Sequence, residues 1–288
     1  MVKKILVTAA TGHIATFAIP QLLESDIKVR AFVHNASKAE YLKKMGVEII
    51  EGNFSEEEKL TEAMKDVKIV LSITPAGPDA ASNAANITRA AKNAGVEHLI
   101  RISAIKAAPD APTENGKLHF KTDSEIMESG IPYTILRPNF YMQNLLMAAS
   151  VIKEQGKIFY GMGEGKIAMI DVRDVADCCV SIITGGGHLN KIYDPNGPAL
   201  ISFPEIANFI SARLGKSVSY VPVSPETVGD SLRKMGASEW AAKVMTDYSR
   251  AYSQGWGDIS NNDVEIITGH KARSFRQFFD EVMIEAFK

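Results

Sequence analysis

The residues best suited to chemistry are the small and polar ones that follow the first apolar run of the chain. Ile5–Val7 precedes the turn Thr8–Ile14, and an amphipathic stretch follows that turn. This order predicts a strand, a tight turn and a helix whose first N–H groups and partial positive charge can hold a pyrophosphate. The dinucleotide fingerprint has three glycines, and here Gly12 stands between Ala9 and Ala15. We expect Gly12 to admit a phosphate and the Cβ of Ala9 to crowd the turn.

Six apolar runs in the first half, rich in Val, Ile and Leu, are typical of strands buried on both faces of a parallel sheet. Helical patterns separate them, and Gly46, Gly95 and Gly130 each end one such pattern. The runs are Ile5–Val7, Val29–Val33, Val47–Ile50, Ile69–Ile73, His98–Ile102 and Tyr133–Leu136. They predict an α/β fold with a Rossmann-type doubly wound parallel sheet. Ligands of such sheets bind at the carboxyl ends of the strands.

The second half has shorter strands and helices. A glycine-rich segment at Gly156–Gly165 predicts a hairpin, Asp171–Thr184 predicts a helix, and a long helical tract is expected from Pro225 to about Gln254. We expect this half to form a smaller α+β cap. The predicted domains are 1–155, a dinucleotide-binding domain to which 166–195 returns, and 196–288, the substrate-contacting cap.

Composition excludes several classes of function. The 288 residues are 45% hydrophobic and 23% charged, and the net charge of −2 favours neither nucleic-acid nor membrane binding. The six histidines lack metal-ligand spacing, so no metal is expected. No apolar stretch has transmembrane length, and the run after Met1–Lys4 is too short for a signal peptide. The adjacent Cys178 and Cys179 are poorly placed for a disulfide, which predicts a reducing compartment, the cytoplasm.

Several motifs in order resemble those of the NmrA-like branch of the atypical short-chain dehydrogenase/reductases, over nearly the whole chain. Residues 9–15 stand where the family has G-A-T-G-x-x-G, and residues 34–39 where it often has R-N-x-x-K-A. Ser129–Phe140 is close to the family's most recognisable segment. Shorter matches are Gly52–Phe54, Asp171–Ala176 and Leu214–Lys216. Within the family, the chain is most similar to type 2 NAD(P)H:quinone oxidoreductases and triphenylmethane-dye reductases.

The resemblance implies an NAD(P)H-dependent oxidoreductase that transfers hydride to a small planar acceptor such as a quinone or dye. Two alternatives stay open: a non-catalytic NAD(P)-sensing regulatory protein and a sugar-nucleotide epimerase-like enzyme. The family's 2′-phosphate arginine is His34 here, and its adenine-turn aspartate is Asn53. Because no acid follows the second strand to bind a ribose 2′-hydroxyl, we expect a weak preference for NADP(H), with NAD(H) as an alternative cofactor.

The predicted site residues follow strand ends or match the family's motifs. Lys121, on a helix where the family often has lysine, and Tyr141, whose ring suits a planar acceptor, are the predicted catalytic residues. Lys117 stands where classical relatives have tyrosine, so we expect quinone reduction with little activity on secondary alcohols. The predicted cofactor-binding residues are Thr8, Ala10, Thr11, Gly12, His13, Ile14, His34, Asn35, Lys38, Asn53, Phe54, Thr74, Pro75, Ser103, Lys121, Pro138, Asn139 and Phe140.

Other polar residues near these positions have structural interpretations. Arg137 ends a buried strand and is expected to form a structural ion pair or contacts with carbonyl groups, and Asp171 and Asp174 are expected to cap a helix. The expected partner is a small-molecule acceptor, and a homodimer is a further hypothesis.

Overall fold

A computed structural model describes residues 4–288, so the prediction about a leader at Met1–Lys4 lies largely outside the described residues. The chain divides into two compact units. Unit one comprises the residues up to Pro109, with Leu118–Arg137 and Val175–Tyr193; unit two comprises Asp110–Lys117, Pro138–Asp174 and Asp194–Lys288. Segment 138–155 therefore belongs to unit two, and the return to unit one begins at Val175 rather than at residue 166.

Seven parallel strands form the sheet of unit one, one more than the sequence predicted. The strands are β1 (Lys4–Thr8), β2 (Lys28–Val33), β3 (Glu48–Glu51), β4 (Ile69–Ser72), β5 (His98–Ile102), β6 (Tyr133–Leu136) and β8 (Lys191–Tyr193). Their order is β3-β2-β1-β4-β5-β6-β8. Strands β4 and β5 are buried throughout, as expected for a parallel sheet covered on both faces. The predicted α/β, Rossmann-type fold is confirmed.

The chain builds outward from β1 to β3 and then crosses back to β4. The carboxyl ends of β1 and β4 are therefore the topological switch point, where open parallel sheets bind ligands. The α-helices up to Thr184, taken along the chain and across both units, are α1 (His13–Glu24), α2 (Glu40–Lys44), α3 (Glu57–Met64), α4 (Ala80–Asn93), α5 (Glu114–Glu128), α6 (Ala149–Gln155) and α7 (Val172–Thr184). Gly46, Gly95 and Gly130 have φ of +86°, +68° and +82°, which confirms them as left-handed helix ends.

Unit two contains a small parallel pair of strands, β7 (Lys157–Tyr160) and β9 (Ser219–Pro222). The predicted hairpin at Gly156–Gly165 is wrong, because β7 takes its partner from a distant segment. The later helices are α8 (Phe203–Leu214), α9 (Pro225–Lys234), α10 (Glu239–Ser253), α11 (Asp263–Thr268) and α12 (Phe275–Glu281). The single tract expected from Pro225 is also wrong, because Gly236, with φ +83°, follows α9 and separates it from α10. Within residues 4–288, the search for a helix both long and apolar enough to span a bilayer finds none.

Candidate active site

The segment Thr8–Ile14, here called the phosphate turn, joins β1 to α1 at the switch point. The Gly12 N–H donates to the Ala9 carbonyl at 2.9 Å, and Gly12 is the N-cap residue of α1. Among the described residues, no side chain caps α1, and its first turn contains no acidic residue. The first N–H groups of the helix are therefore free to bind an anion, which the helix dipole also attracts.

Three residues of the phosphate turn have defined structural roles. Ala9 has φ +46°, a left-handed conformation that glycine adopts more easily, so the turn forms with strain at this residue. The Thr8 hydroxyl donates to the Ile73 carbonyl at 2.7 Å and accepts from the Ile73 N–H at 2.8 Å. The Ala10 side chain is fully buried. Thr8 and Ala10 can thus offer a cofactor their main-chain groups, whereas Thr11 and His13 are exposed.

The residues after β2 and β3 form a connected set of hydrogen bonds. The Glu56 carboxylate accepts from the main-chain N–H of Asn53 at 2.5 Å and from its amide nitrogen at 3.3 Å. This orientation directs Asn53 Oδ1 to His34 Nδ1, 2.6 Å away. Because Oδ1 can only accept, Nδ1 of His34 is the donor in this bond, and the neutral tautomer with its proton on Nδ1 presents Nε2 as an acceptor.

The other residues predicted near these strand ends have different surroundings. Asn35 Oδ1 accepts from the Ser37 N–H at 2.9 Å and so caps a short 3₁₀ turn, while Lys38 is exposed. The ring of Phe54 packs against Phe32, with centroids 5.3 Å apart, and belongs to the edge of the core. Asn35 and Phe54 therefore stabilise the local fold. Lys38 is an exposed cation in the segment that follows β2.

Ion-pairing and hydroxyl groups meet at the carboxyl ends of β5 and β6. Asp123, fully buried on α5, accepts hydrogen bonds at Oδ2 from the Ser103 hydroxyl and from Arg137 Nε, both at 2.9 Å. Arg101, 1% exposed, donates from Nη1 to the Thr74 hydroxyl at 3.0 Å. His119 lies one helical turn before Asp123. We call Arg101, Ser103, His119, Asp123 and Arg137 the buried polar cluster.

Burial and charge shift the titration of two members of this cluster. Burial, and then the nearby guanidinium groups of Arg101 and Arg137, lower the pKa of His119 from 6.5 to about 3, so its imidazole is neutral near pH 7. Burial raises the pKa of Asp123, and the two arginines and the Ser103 hydroxyl oppose that rise. His119 Nδ1 and Asp123 Oδ1 are buried and have no hydrogen-bond partner among the described residues.

The sequence identified part of this cluster. The predicted ion pair of Arg137 is confirmed, and Ser103 lies where it was expected. Sequence analysis missed His119 and Asp123, although their i,i+4 spacing on α5 was a usable signal. Lys121, predicted as catalytic, is exposed on the same helix, and Pro75 is exposed after β4.

Asn139, a predicted site residue of unit two, forms hydrogen bonds with both atoms of its side-chain amide. The Asn139 amide nitrogen donates to Asn196 Oδ1 at 2.8 Å and to the Gly257 carbonyl at 3.0 Å. Its oxygen accepts from the Phe140 N–H at 2.8 Å and from the Tyr252 hydroxyl at 3.3 Å. The whole Asn139 amide is therefore used within unit two, and only its main chain is left for a cofactor.

The aromatic residues of this segment differ from each other. Phe140 is 7% exposed and packs edge-on against Tyr160 and Tyr252, with ring centroids 6.4 and 5.7 Å apart. Tyr141 is partly exposed, and Pro138 is buried. The structure thus places Phe140 in the core of unit two, and Tyr141 is the more accessible of the two rings.

The two aspartates at the start of α7 have separate roles. Asp171 Oδ1 accepts from the Arg173 N–H at 2.9 Å, which confirms its capping role. Asp174 instead accepts from the Arg273 N–H at 2.8 Å and pairs with the Arg273 guanidinium, so the prediction that it caps the helix is wrong. Among the described residues, no cluster of three or more His, Cys, Asp or Glu side chains suits a metal ion.

Comparison with known proteins agrees with this arrangement. The model of the NmrA-like family matches residues 1–270, and the chain belongs to that family. A relative named NAD(P)H azoreductase, from Xenophilus azovorans, is 36% identical over 275 residues, which cover 95% of this chain and 96% of the relative.

Two solved structures are also similar over nearly their whole length. Escherichia coli NADPH-dependent quinone oxidoreductase QOR2, complexed with NADPH, superimposes with a TM-score of 0.90 at 26% identity, covering 97% of this chain and 99% of that one. Citrobacter sp. triphenylmethane reductase, complexed with NADP(H), gives a TM-score of 0.88 at 27% identity, covering 96% and 99%. The similar proteins are thus reductases named for NAD(P)H and for azo, quinone or dye chemistry.

Proposed function

We propose that this chain is an NAD(P)H-dependent reductase that transfers hydride to a small planar acceptor, namely a quinone, an azo compound or a triphenylmethane dye. The observation that carries the proposal is the uncapped N-terminus of α1 above Gly12, at the switch point of the sheet. The names of the similar proteins supply the reaction class.

The residues present fit a dinucleotide. The N–H groups after Gly12 would hold the pyrophosphate, and the polar pair His34 and Asn53 lies at the ends of the neighbouring strands, where the adenosine half binds in such folds. When bound, the nicotinamide supplies the hydride. The protein then has to orient the acceptor and exclude competing reactions.

We propose that NADP(H) is weakly preferred and that Lys38 is the source of this preference. A neutral His34 presents an acceptor nitrogen, which suits a ribose hydroxyl rather than a phosphate. The exposed Lys38 is then the cation that favours a 2′-phosphate. An exposed ion pair contributes about 0.5–1 kcal/mol, which corresponds to a two- to fivefold preference.

The roles of Lys121 and Tyr141 stay proposals. Lys121 is exposed on α5, and its proposed role is to donate hydrogen bonds to ribose hydroxyls of the cofactor. Tyr141 is partly exposed, and its ring would stack on a planar acceptor. We expect only a modest loss of turnover in Tyr141→Phe, which keeps the ring.

The test is steady-state oxidation of NADPH and NADH by the purified chain with a quinone, an azo dye and a triphenylmethane dye. Turnover with at least one acceptor is expected, with little activity on secondary alcohols. Lys38→Ala should remove the preference for NADPH, whereas Lys43→Ala, an exposed lysine on α2, should keep it. Tight NAD(P)H binding without turnover on any acceptor would instead favour the sensing protein.

Two further predictions accompany this function. Cys178 and Cys179 form no disulfide and are buried, in keeping with a protein that works in the reducing cytoplasm. A homodimer also stays a prediction, to be tested by light scattering of the purified protein.

A further inference from the structure

The inference concerns the face of α5 that carries His119. Asp123, one helical turn later, is tied to Ser103 after β5 and to Arg137 after β6. Residues four apart lie on the same side of a helix, so His119 is presented on the side that meets the carboxyl ends of these strands. Lys121, two positions from each of them, is on the exposed side.

The surroundings of His119 determine which ring nitrogen carries the proton. Nδ1 is buried and without a partner among the described residues. If Nδ1 carried the proton, it would be a buried N–H without a partner, which is rarer in proteins than an unused acceptor. The positive guanidinium groups of Arg101 and Arg137 also favour a lone pair on Nδ1. The proton of the neutral ring therefore belongs on Nε2. The His119 side chain is partly exposed, and with Nδ1 enclosed, Nε2 is the nitrogen that a ligand can reach.

We propose that the Nε2–H of His119 donates a hydrogen bond to the quinone oxygen, or to the nitrogen of an azo acceptor, on which negative charge develops during reduction. This inference rests on the proposed reductase function. It makes His119, rather than Lys121, the substrate-contacting residue of α5. Ser103 and Asp123 are positioning groups that fix the helix face and the Arg137 guanidinium.

Quinone reduction consumes one NAD(P)H and one proton. The C4–H bond of the nicotinamide breaks, its hydride carries two electrons and bonds to one carbonyl oxygen of the quinone, and the other carbonyl oxygen becomes an oxyanion. That oxygen accepts the hydrogen bond from His119 and lies in the positive field of Arg101 and Arg137. A proton from water then binds to this oxyanion and completes the hydroquinone. The cofactor is left as NAD(P)⁺ by the hydride transfer. His119 remains neutral throughout, since it donates a hydrogen bond and does not transfer its proton.

Two variants of His119 test the inference. His119→Leu removes the donor and keeps an apolar side chain of similar size, whereas His119→Gln keeps an N–H donor. We expect kcat to fall on the order of 100-fold in His119→Leu, as for loss of one oxyanion donor, and much less in His119→Gln. The affinity for NADPH, measured by fluorescence titration, and the thermal midpoint near pH 7 should change little in both.

A control histidine is available in the same unit. His188, whose Nδ1 lies 3.0 Å from the Tyr193 hydroxyl, also has a pKa lowered by burial, but it precedes β8 and is not part of the buried polar cluster. His188→Gln should leave turnover unchanged. The inference is overturned if the wild-type chain reduces a quinone or an azo acceptor and His119→Leu keeps more than half of the wild-type kcat. It is also overturned if the kcat of His119→Gln falls as far as that of His119→Leu. If the wild-type chain reduces none of the acceptors, the proposed function fails and the inference with it.

Discussion

The phosphate turn and the buried polar cluster both lie at the carboxyl ends of strands of one sheet, but they offer a ligand different kinds of group. The phosphate turn offers main-chain N–H groups at the start of α1, and its polar neighbours His34, Asn53 and Lys38 are exposed. The buried polar cluster consists of side chains from α5 and from the ends of β5 and β6, and Arg101, Ser103 and Asp123 among them are buried.

This difference indicates a division of labour. Main-chain groups bind phosphate without strong dependence on side-chain identity, which explains how the turn keeps its geometry with alanine at positions 9 and 15. Side chains enclosed away from water interact more strongly with developing charge, so the cluster is the region suited to the reacting end of the substrates. The following predictions test this division.

The largest expected effect is on cofactor affinity. Gly12→Asp places a carboxylate at the N-cap where phosphate must bind, and its Cβ would lie 3.2 Å from the Ala9 carbonyl oxygen. We expect the Kd for NADPH to rise at least about 100-fold, close to 3 kcal/mol. The matched control is Gly186→Asp, at a glycine with open space around it in the connection between α7 and β8. Unchanged affinity in Gly12→Asp, measured by fluorescence titration, would place the phosphate site elsewhere.

The second prediction concerns the stability of the buried polar cluster. Arg137→Met removes the partner of a fully buried Asp123 carboxylate, which should lower the free energy of unfolding by about 3 kcal/mol. The double variant Arg137→Met, Asp123→Leu should recover much of that loss, because the Asp123 carboxylate is then no longer buried without its Arg137 partner. For comparison, Arg233→Met breaks an exposed ion pair with Glu239 and should lower the free energy of unfolding much less than Arg137→Met does. Equal losses in the two single variants, in urea unfolding, would contradict the distinction between buried and exposed charge.

The third prediction is a pH dependence of stability. The pKa of His119 is lowered from 6.5 to about 3, so the unfolded chain takes up a proton at a higher pH than the folded one. Its contribution to stability is therefore complete above about pH 6.5 and is lost as the pH falls toward 3, with a slope of at most about 1.4 kcal/mol per pH unit. His119→Gln should flatten the stability profile in this range. A profile in His119→Gln that is as steep as in the wild type would contradict this assignment.

The smallest expected effect concerns the strain at Ala9. Glycine adopts a φ of +46° without the steric strain that the Cβ of alanine causes there. Ala9→Gly should therefore raise the free energy of unfolding by about 1 kcal/mol and the Tm by a few degrees. Ala15→Gly, inside α1, should lower stability by a similar amount because glycine weakens a helix interior. Calorimetry that shows a lower Tm for Ala9→Gly would mean that the turn is not strained.

The sequence by itself determined six of the seven strands of the sheet and the phosphate turn of this protein. Both depend on local patterns: unbroken apolar runs for strands buried on two faces, and the small residues around Gly12 between a strand and a helix. The ion pair of Arg137 was also foreseen, because a guanidinium at the end of a buried strand needs a partner.

The tertiary structure alone decided which groups meet. Strand β7 pairs with β9 across a long stretch of chain, and no local pattern specifies such a partner. His119 and Asp123 were missed for the same reason, since a helix pattern does not reveal which face an adjacent sheet will enclose. Ser103, Asp123 and Arg137 come together only because β5, β6 and α5 are neighbours in the fold, and it is this enclosure that keeps the His119 imidazole neutral.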